Sequence, residues 1–323
     1  MTATLLAADV GGTNARVGLV QIADGRPTVV RYEKYACAQY PGLGAILRHF
    51  LAATGTGGSI PCAIACAGYV IDDVVVNDNL PWKVALGGLR RDIGTDDLFF
   101  VNDFTAIAFG TIYLRAEDVF PVVSVSEPLE GPILVVGPGT GLGAAVCIPA
   151  GTGPIVLPTE AGHGGLAPAT ELEVEIMRRL LRGATHVPAE YILSGPGLGN
   201  LYHVLGEIRA APAAVLTPAQ ITAAALERNE PLAREALGVF CAWLGGVAGN
   251  LVLQCGAQGG VYLAGGILPQ IREFLQRSEF VARFRDKGAR RPLLERVPVG
   301  LIEHGQLGVL GAAGLYWKQR QAS

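Results

Sequence analysis

Apolar residues open the chain in two runs broken by a glycine turn: TLLAADV at 4–10, then Gly-Gly-Thr, then ARVGLVQI at 15–22. Val, Leu and Ile on both sides of a bend containing two glycines predict a β-hairpin. A third strand is expected at about 28–36, followed by a helix over 41–54 (PGLGAILRHFLAAT). Strand-like runs come next at 60–68 (IPCAIACAG), 73–77 (DVVVN) and 97–103 (DLFFVND). Strands that meet glycine turns in this way describe an α/β lobe. Beyond Asp103 the run FTAIAFGTIYL reads as a helix that crosses to a second lobe.

The second stretch opens as the first does, with PILVVG (132–137), a glycine turn and GAAVCIPAG (143–151). Strand, glycine-rich turn with a Thr, strand thus occurs at 5–20 and again at 133–148, which points to internal duplication. Two such copies are expected to face each other across a cleft. Further helices are expected at 171–183 (ELEVEIMRRLLRG), after the opening Thr217-Pro218-Ala219-Gln220, and in a long apolar run that ends near Cys255. A strand at 259–267, another at 297–304 and a helix over 305–320 complete the pattern.

Composition narrows the reading. Lys+Arg 25 against Asp+Glu 28 gives a net charge of −3 over 323 residues, so no basic field attracts a nucleic acid. Glycine, at 44 residues, is about twice its average frequency and clusters beside the strand-like runs. Cysteines 37, 62, 66, 147, 241 and 255 lie mostly in apolar stretches without framework spacing, which reads as buried reduced thiols. Cys62 and Cys66 lack a second pair or a His cluster to complete four ligands, so no zinc site is expected. The uncharged stretches 131–159 and 236–271 read as core and not as membrane spans: five prolines interrupt the first, and Asn250, Gln254, Gln258 and glycines cut the second. The N-terminus has no basic n-region and carries Asp9 in its first apolar run, so a cytoplasmic location is expected.

The chemistry concentrates in a few places. Asp9-Val10-Gly11-Gly12-Thr13-Asn14 sets a carboxylate at a strand end before two glycines whose N–H groups can converge, which suits phosphate with Mg²⁺; an ordinary hairpin turn is the plainer alternative. Gly137-Pro138-Gly139-Thr140-Gly141-Leu142-Gly143 repeats that logic without the acid. Gly139, Gly141 and Ala144 also match G-x-G-x-x-A, but a dinucleotide fingerprint opens a helix and here the chain runs on as a strand. Asn102-Asp103 ends the apolar run LFFV, where a carboxylate can accept a proton from a hydroxyl or simply cap a helix beginning at Phe104. Glu160, His163 and Glu190, the last just before a glycine turn in SGPG, offer hydrogen-bond partners in a charge-poor region and suit a neutral polyhydroxylated ligand.

Taken together, DVGGTNAR (9–16), CAG…NLPW (66–82), VNDFTAIA (101–108), GPGTGLGAA (137–145), EAGHGGLAP (160–168), AEYILSGPGLGNLY (189–202), YLAGGILP (262–269) and the EHGQLGVLGAA tail resemble bacterial glucokinase of the form without a zinc motif. The resemblance runs in order from residue 5 to about 316. It implies an α/β, actin-like (ribonuclease H-like) duplicated ATPase fold of two lobes with a central cleft, usually as a homodimer. The lobes are expected at 1–110, completed by 301–323, and at 111–300. The implied reaction is ATP-dependent phosphorylation of D-glucose to D-glucose 6-phosphate. A kinase for fructose, mannose or an N-acetylhexosamine, or a non-catalytic sugar-binding regulator, are the alternatives.

The same resemblance implies roles residue by residue. Asp103 matches the base that takes the proton of the sugar 6-hydroxyl, and Asn102, Glu160, His163 and Glu190 match residues holding the other hydroxyls. The stretch Ala8 to Thr13 and the turn with Gly139, Thr140, Gly141 and Gly143 match the phosphate-binding turns. Ala264-Gly265-Gly266 matches the turn beside the adenosine, and Asp9 is expected to hold Mg²⁺ through water. Three departures stand out: LAPATELEVE after His163 has no Cys, against zinc; Ala161 replaces a usual Gly, which restricts the backbone beside Glu160; and Pro138 enters the second phosphate turn.

Overall fold

The computed structural model describes residues 2–77, 80–151, 153–211 and 214–322, so Asn79 of the NLPW segment lies outside the described residues. The chain forms two compact units, one of Met1–Ala116, Pro154–Pro158 and His304–Ser323, the other of Glu117–Gly153 and Thr159–Glu303.

In the first unit, β1 (Thr2–Val10) and β2 (Asn14–Ala23) pair antiparallel around the Gly11–Thr13 turn, and β3 (Arg26–Ala36) extends the sheet beside β2. Helix α1 (Leu43–Thr54) follows because its apolar residues recur at i, i+3, i+4 and i+7: Leu43, Ile46, Leu47 and Phe50 are all buried. Each such side chain contributes about 1.5–3 kcal/mol by leaving water. Strand β4 (Cys62–Cys66) lies parallel to β1, and after a small sheet of β5 (Tyr69–Ile71), β6 (Val74–Val76) and β7 (Val84–Ala85) and helix α2 (Leu86–Ile93), β8 (Leu98–Val101) lies parallel to β4. Helix α3 (Asp103–Gly110) leaves the end of β8.

The second unit begins with β9 (Val119–Val123), and its hairpin of β10 (Ile133–Pro138) and β11 (Leu142–Ile148) is antiparallel; β12 (Ile155–Thr159), which counts with the first unit up to Pro158, is next in the strand order. Helices α4 (Glu171–Leu180), α5 (Gly195–Ile208), α6 (Pro218–Leu226) and α7 (Pro231–Cys255) precede β13 (Gly260–Leu263), which is parallel to β10. Short helices α8 (Arg272–Arg277), α9 (Phe280–Arg285) and α10 (Arg291–Leu294) lead to β14 (Val299–Ile302), parallel to β13. Helix α11 (Leu307–Ala322) returns to the first unit.

The two sheets run β3-β2-β1-β4-β8 and β12-β11-β10-β13-β14-β9. Apart from β9, the second repeats the first: an antiparallel hairpin with a further strand on its outer side, whose first strand is followed on the other side by two parallel strands. This bears out the duplication read from the paired glycine turns.

Period-2 alternation decides which side chain goes where in the first sheet. Leu6, Ala8 and Val10 of β1 bury toward α1 and α2, whereas Leu5 and Ala7 bury toward α11. Asp9 is the next residue in the α11-facing row. The second unit has one large core around α7, where Leu237, Phe240, Trp243, Leu244 and Val252 are buried. By length and composition α7 could cross a membrane, yet 67% of its most apolar window is buried inside the protein. The polar and glycine residues expected to cut this stretch do not interrupt the helix over Pro231–Cys255; Gly245 and Gly249 serve close packing, and a Cβ at Gly245 would lie 2.9 Å from the Phe280 carbonyl carbon.

One expected turn is instead a helix start. Ser194 caps α5, its Oγ accepting from Gly197 N at 3.0 Å, and Pro196 occupies the first turn, where a missing N–H costs nothing. The glycine of that SGPG run allows a close approach: a Cβ at Gly197 would lie 2.5 Å from the Ile192 carbonyl carbon.

Candidate active site

In the first unit, three parallel strands end on one edge of the sheet. Asp9 is in register with Ala65, and Ala65 with Val101, so Asn102 and Asp103 follow one and two residues beyond that row. With strands spaced about 4.8 Å, the backbones of Asp9 and Val101 are about 10 Å apart. Cys66 lies between the two acids: burial pushes its thiol up, and the Asp103 and Asp9 charges add to the shift.

The turn after Asp9 is built to present N–H groups. Gly11 N donates to Asn14 O at 3.0 Å, Cys37 Sγ donates to Gly11 O at 3.4 Å and Cys37 N donates to Thr13 O at 2.9 Å. Among the described residues nothing accepts from the N–H groups of Gly12 and Thr13. Asp9 keeps 15% of its side chain exposed; Arg16 Nη1 lies 3.4 Å from its Oδ2, and Gly308 at the start of α11 packs so closely that a Cβ there would lie 2.6 Å from Asp9 Cγ. Burial pushes the Asp9 carboxyl up, and the Arg16 guanidinium opposes that shift. Ala8 and Val10, grouped with this turn from the sequence, send their side chains into the core toward α1 and α2, as alternation requires.

At the end of β8 the cap falls on Asn102. Its Oδ1 accepts from Thr105 N at 3.2 Å, so the helix begins at Asp103, not at Phe104. Asp103 is half-buried in the first turn, where its Oδ1 accepts from Phe104 N at 2.9 Å.

The second unit gathers the other predicted residues around its own glycine turn. Gly139 N donates to Gly141 O at 2.7 Å, and Gly139 O accepts from Gly195 N at 2.8 Å. The N–H groups of Thr140 and Gly141 have no acceptor among the described residues. Gly143 sits one step inside β11, its backbone in the ladder opposite Gly137. The turn at Ala264–Gly266 presses on Pro138: Gly265 has a left-handed φ of 98°, and a Cβ there would lie 2.9 Å from the Pro138 carbonyl carbon, so glycine alone fits.

Glu160, His163 and Glu190 come to this same turn. Gly162 packs against Leu142, with a Cβ there 3.1 Å from Leu142 Cβ, which holds the 160–163 segment beside the hairpin. Leu166 N donates to Val187 O at 2.9 Å and Ala189 N to Gly164 O at 2.8 Å, zipping that loop to the residues before Glu190. Glu190 Oε2 accepts from Leu142 N at 3.0 Å, and its Oε1 lies 4.0 Å from His163 Nδ1. His163 is 64% exposed on its side chain, and Glu160 is exposed as well.

A family model described as glucokinase matches residues 6–319. The chain belongs to the glucokinase family. It is 45% identical over 322 residues to a glucokinase-like protein of Xylella fastidiosa (strain 9a5c), covering 98% of this chain and 96% of that protein. A glucokinase of Paramagnetospirillum magneticum is 40% identical, with 100% of each chain covered. The crystal structure of glucokinase from an Antarctic psychrotroph matches at a TM-score of 0.82 and 32% identity, covering 97% of this chain and 98% of that one. The fold is the actin-like, duplicated ATPase α/β fold of sugar kinases, consistent with the repeated sheet order.

Placed in this family, the departure at residue 161 has little structural cost. Ala161 opens a 3-10 turn without a positive φ, so the backbone beside Glu160 does not need glycine there. Sequence reasoning missed Arg16, Cys37 and Gly308, which hold the Asp9 turn in place. Arg16 and Gly308 both lie inside quoted motif runs, DVGGTNAR and the EHGQLGVLGAA tail, so a signal was present; Cys37 had none beyond its apolar surroundings.

Proposed function

We propose that this protein transfers the γ-phosphoryl group of ATP to the 6-hydroxyl of D-glucose. Family membership across nearly the whole chain supports the reaction class, and the observation that carries the residue assignment is the end of β8. There Asn102 takes the cap, and Asp103 stands on the same sheet edge as the Asp9 turn. Asp103 accepts the hydroxyl proton as that oxygen attacks phosphorus, with positioning and charge neutralisation supplying most of the remaining acceleration. Asn102 Nδ2, Glu160, His163 and Glu190 hold the other hydroxyls. The N–H groups of Gly12, Thr13, Thr140 and Gly141 donate to phosphate oxygens, and the Gly265–Gly266 turn lies beside the nucleoside.

The donor set fits Mg²⁺ that arrives with the nucleotide. Among the described residues no group of three or more His, Cys, Asp or Glu converges on an all-protein metal site, and Asp9 is a partly exposed carboxylate beside a phosphate turn. When bound, Mg²⁺ neutralises charge on the phosphates. Five buried cysteines and a half-buried Cys255, all free thiols, support a reducing, cytoplasmic setting, and a homodimer follows from the family resemblance.

The test is coupled ADP release with ATP, Mg²⁺ and a panel of glucose, fructose, mannose and N-acetylglucosamine. Glucose is expected to give the highest kcat/KM, and Asp103→Ala to lower kcat by about two orders of magnitude or more with glucose binding intact. Glu160→Gln should raise the glucose KM instead. Turnover that survives Asp103→Ala removes that residue from the role, and a preference for another hexose overturns the substrate.

A further inference from the structure

Glu190 is bonded in one direction and open in the other. Its Oε2 is held by Leu142 N at 3.0 Å, while Oε1 looks toward His163 Nδ1, 4.0 Å away, on a side chain that is still 33% exposed. Gly141 makes this tether possible, because a Cβ at that position would lie 3.4 Å from Glu190 Cδ and closer still to Oε2. From Leu142 the contact continues along backbone alone. Gly141 O is bonded to Gly139 N, Gly139 O to Gly195 N at the start of α5, and Pro138 is pressed against Gly265. A side chain assigned to the sugar therefore fixes the turn assigned to phosphate, and that turn touches the one assigned to the nucleoside.

We infer that Glu190 is a coupling residue through which glucose and nucleotide tighten each other's binding. The inference rests on the reading of Glu190 as a sugar contact and adds a second role to it. A sugar hydroxyl donating to Oε1 orders the carboxylate and keeps Oε2 on Leu142 N. The Gly139–Gly141 turn then stays in the shape in which the Thr140 and Gly141 N–H groups have no protein acceptor among the described residues. Ordering a glycine-rich turn costs conformational entropy, and a nucleotide arriving second no longer bears that cost. Coupling between ligands is reciprocal, so the nucleotide must tighten glucose by the same factor. Factors of this origin lie in the range of about 5–150-fold, and about tenfold is expected here.

The experiment is a fluorescence titration of glucose with and without saturating Mg²⁺·AMPPNP, a non-hydrolysable nucleotide, on the full-length protein. The wild type should show glucose affinity raised about tenfold by the nucleotide. In Glu190→Ala that factor should fall to about one, whereas Glu160→Gln should bind glucose more weakly yet keep the factor. Should Glu190→Ala bind glucose too weakly to measure, Gly141→Ala decides, because it retains the Glu190 side chain but pushes Oε2 off Leu142 N; its factor should also collapse. A tenfold factor that persists in either Glu190→Ala or Gly141→Ala overturns the inference, and so does a wild type that binds glucose with no factor at all. A wild type that binds no glucose sinks the proposed function instead, and this inference with it.

Discussion

Exchanging Gly311 for Ala tests whether the seat of α11 is as tight as the packing implies. Within the first unit α11 crosses α3, and a methyl at Gly311 would lie 2.6 Å from the carbonyl carbon of Ala106 and 3.2 Å from its Cα. Carbon atoms sit comfortably at about 3.5–4.0 Å, so α11 would have to withdraw by about 1 Å. It has no room to do so without loss, because Val309, Ala312 and Ala313 are fully buried around the same crossing. Overpacking of this kind costs about 1–3 kcal/mol, and a clash with backbone belongs at the upper end. Alanine recovers about 1 kcal/mol through helix propensity, which leaves a net loss of about 2 kcal/mol. Gly238 in α7 is the control, since a Cβ there meets nothing within 4 Å and the same exchange should stabilise by about 1 kcal/mol. Urea unfolding followed by circular dichroism should separate the two variants by about 3 kcal/mol. Because Gly308, one turn earlier, packs on the Asp9 carboxyl, Gly311→Ala should also raise the KM for ATP. A Gly311→Ala protein as stable as Gly238→Ala would refute the packing argument.

Other expectations follow from buried chemistry. Glu173 is 3% exposed on its side chain, receives Arg283 at 3.0 Å through both guanidinium nitrogens and accepts from Ala169 N at 2.7 Å; Glu173→Ala strands a buried Arg and should cost about 3–5 kcal/mol in the same urea assay. Burial pushes the Cys241 thiol up to about 12 from 9.0, so at pH 8 it holds roughly a thousandfold less thiolate than a free cysteine. Iodoacetamide at that pH should label Cys255 first and all six cysteines only after unfolding; rapid native labelling of Cys241 would contradict the burial. Burial also pushes Tyr113 up to about 12 from 10.0, so the folded state binds the extra proton and loses stability as pH rises through that window. Tyr113→Phe should remove that part of the alkaline loss in urea midpoints measured from pH 9 to 12.

What was legible in the sequence is what depends on local pattern. The hairpins at β1–β2 and β10–β11 follow from alternating apolar residues around glycines. Helix α6 follows from Thr217 and Gln220, which do form both hydrogen bonds of a capping box. Helices α8, α9 and α10 escaped because four to six residues each are too short to show a period; of the small sheet, the run at 73–77 announced β6, while β5 and β7, of three and two residues, carry too few positions. Glu173 escaped for another reason. In ELEVEIMRR it reads as one more charge on a solvated face, and its burial is made by Arg283, 110 residues away, which no local window contains. At the candidate site the residue types were legible, but the bond from Leu142 N to Glu190 Oε2 was not, since a backbone donor leaves no trace in the sequence.

The duplication also places two equivalent strand ends in different surroundings. In each sheet the last strand of the repeated five ends on an acid: β8 runs into Asn102-Asp103, and β14 into Glu303. Copying a fold copies the strand end and its backbone, but the chemistry depends on what meets the carboxylate there. Glu303 is met by Arg272 at 2.8 Å, and its N–H is bonded to Asp118 O, so its charge is spent on holding β14 to its surroundings. At β8 the neighbouring Asn102 takes the structural duty of capping α3, and Asp103, half-buried at the helix start, is the carboxylate proposed above to take the hydroxyl proton. Arg272→Met should therefore weaken the second unit only slightly, an exposed pair contributing about 0–1 kcal/mol, and should leave kcat unchanged. A large fall in kcat in that variant would mean that the second strand end, too, takes part in the reaction.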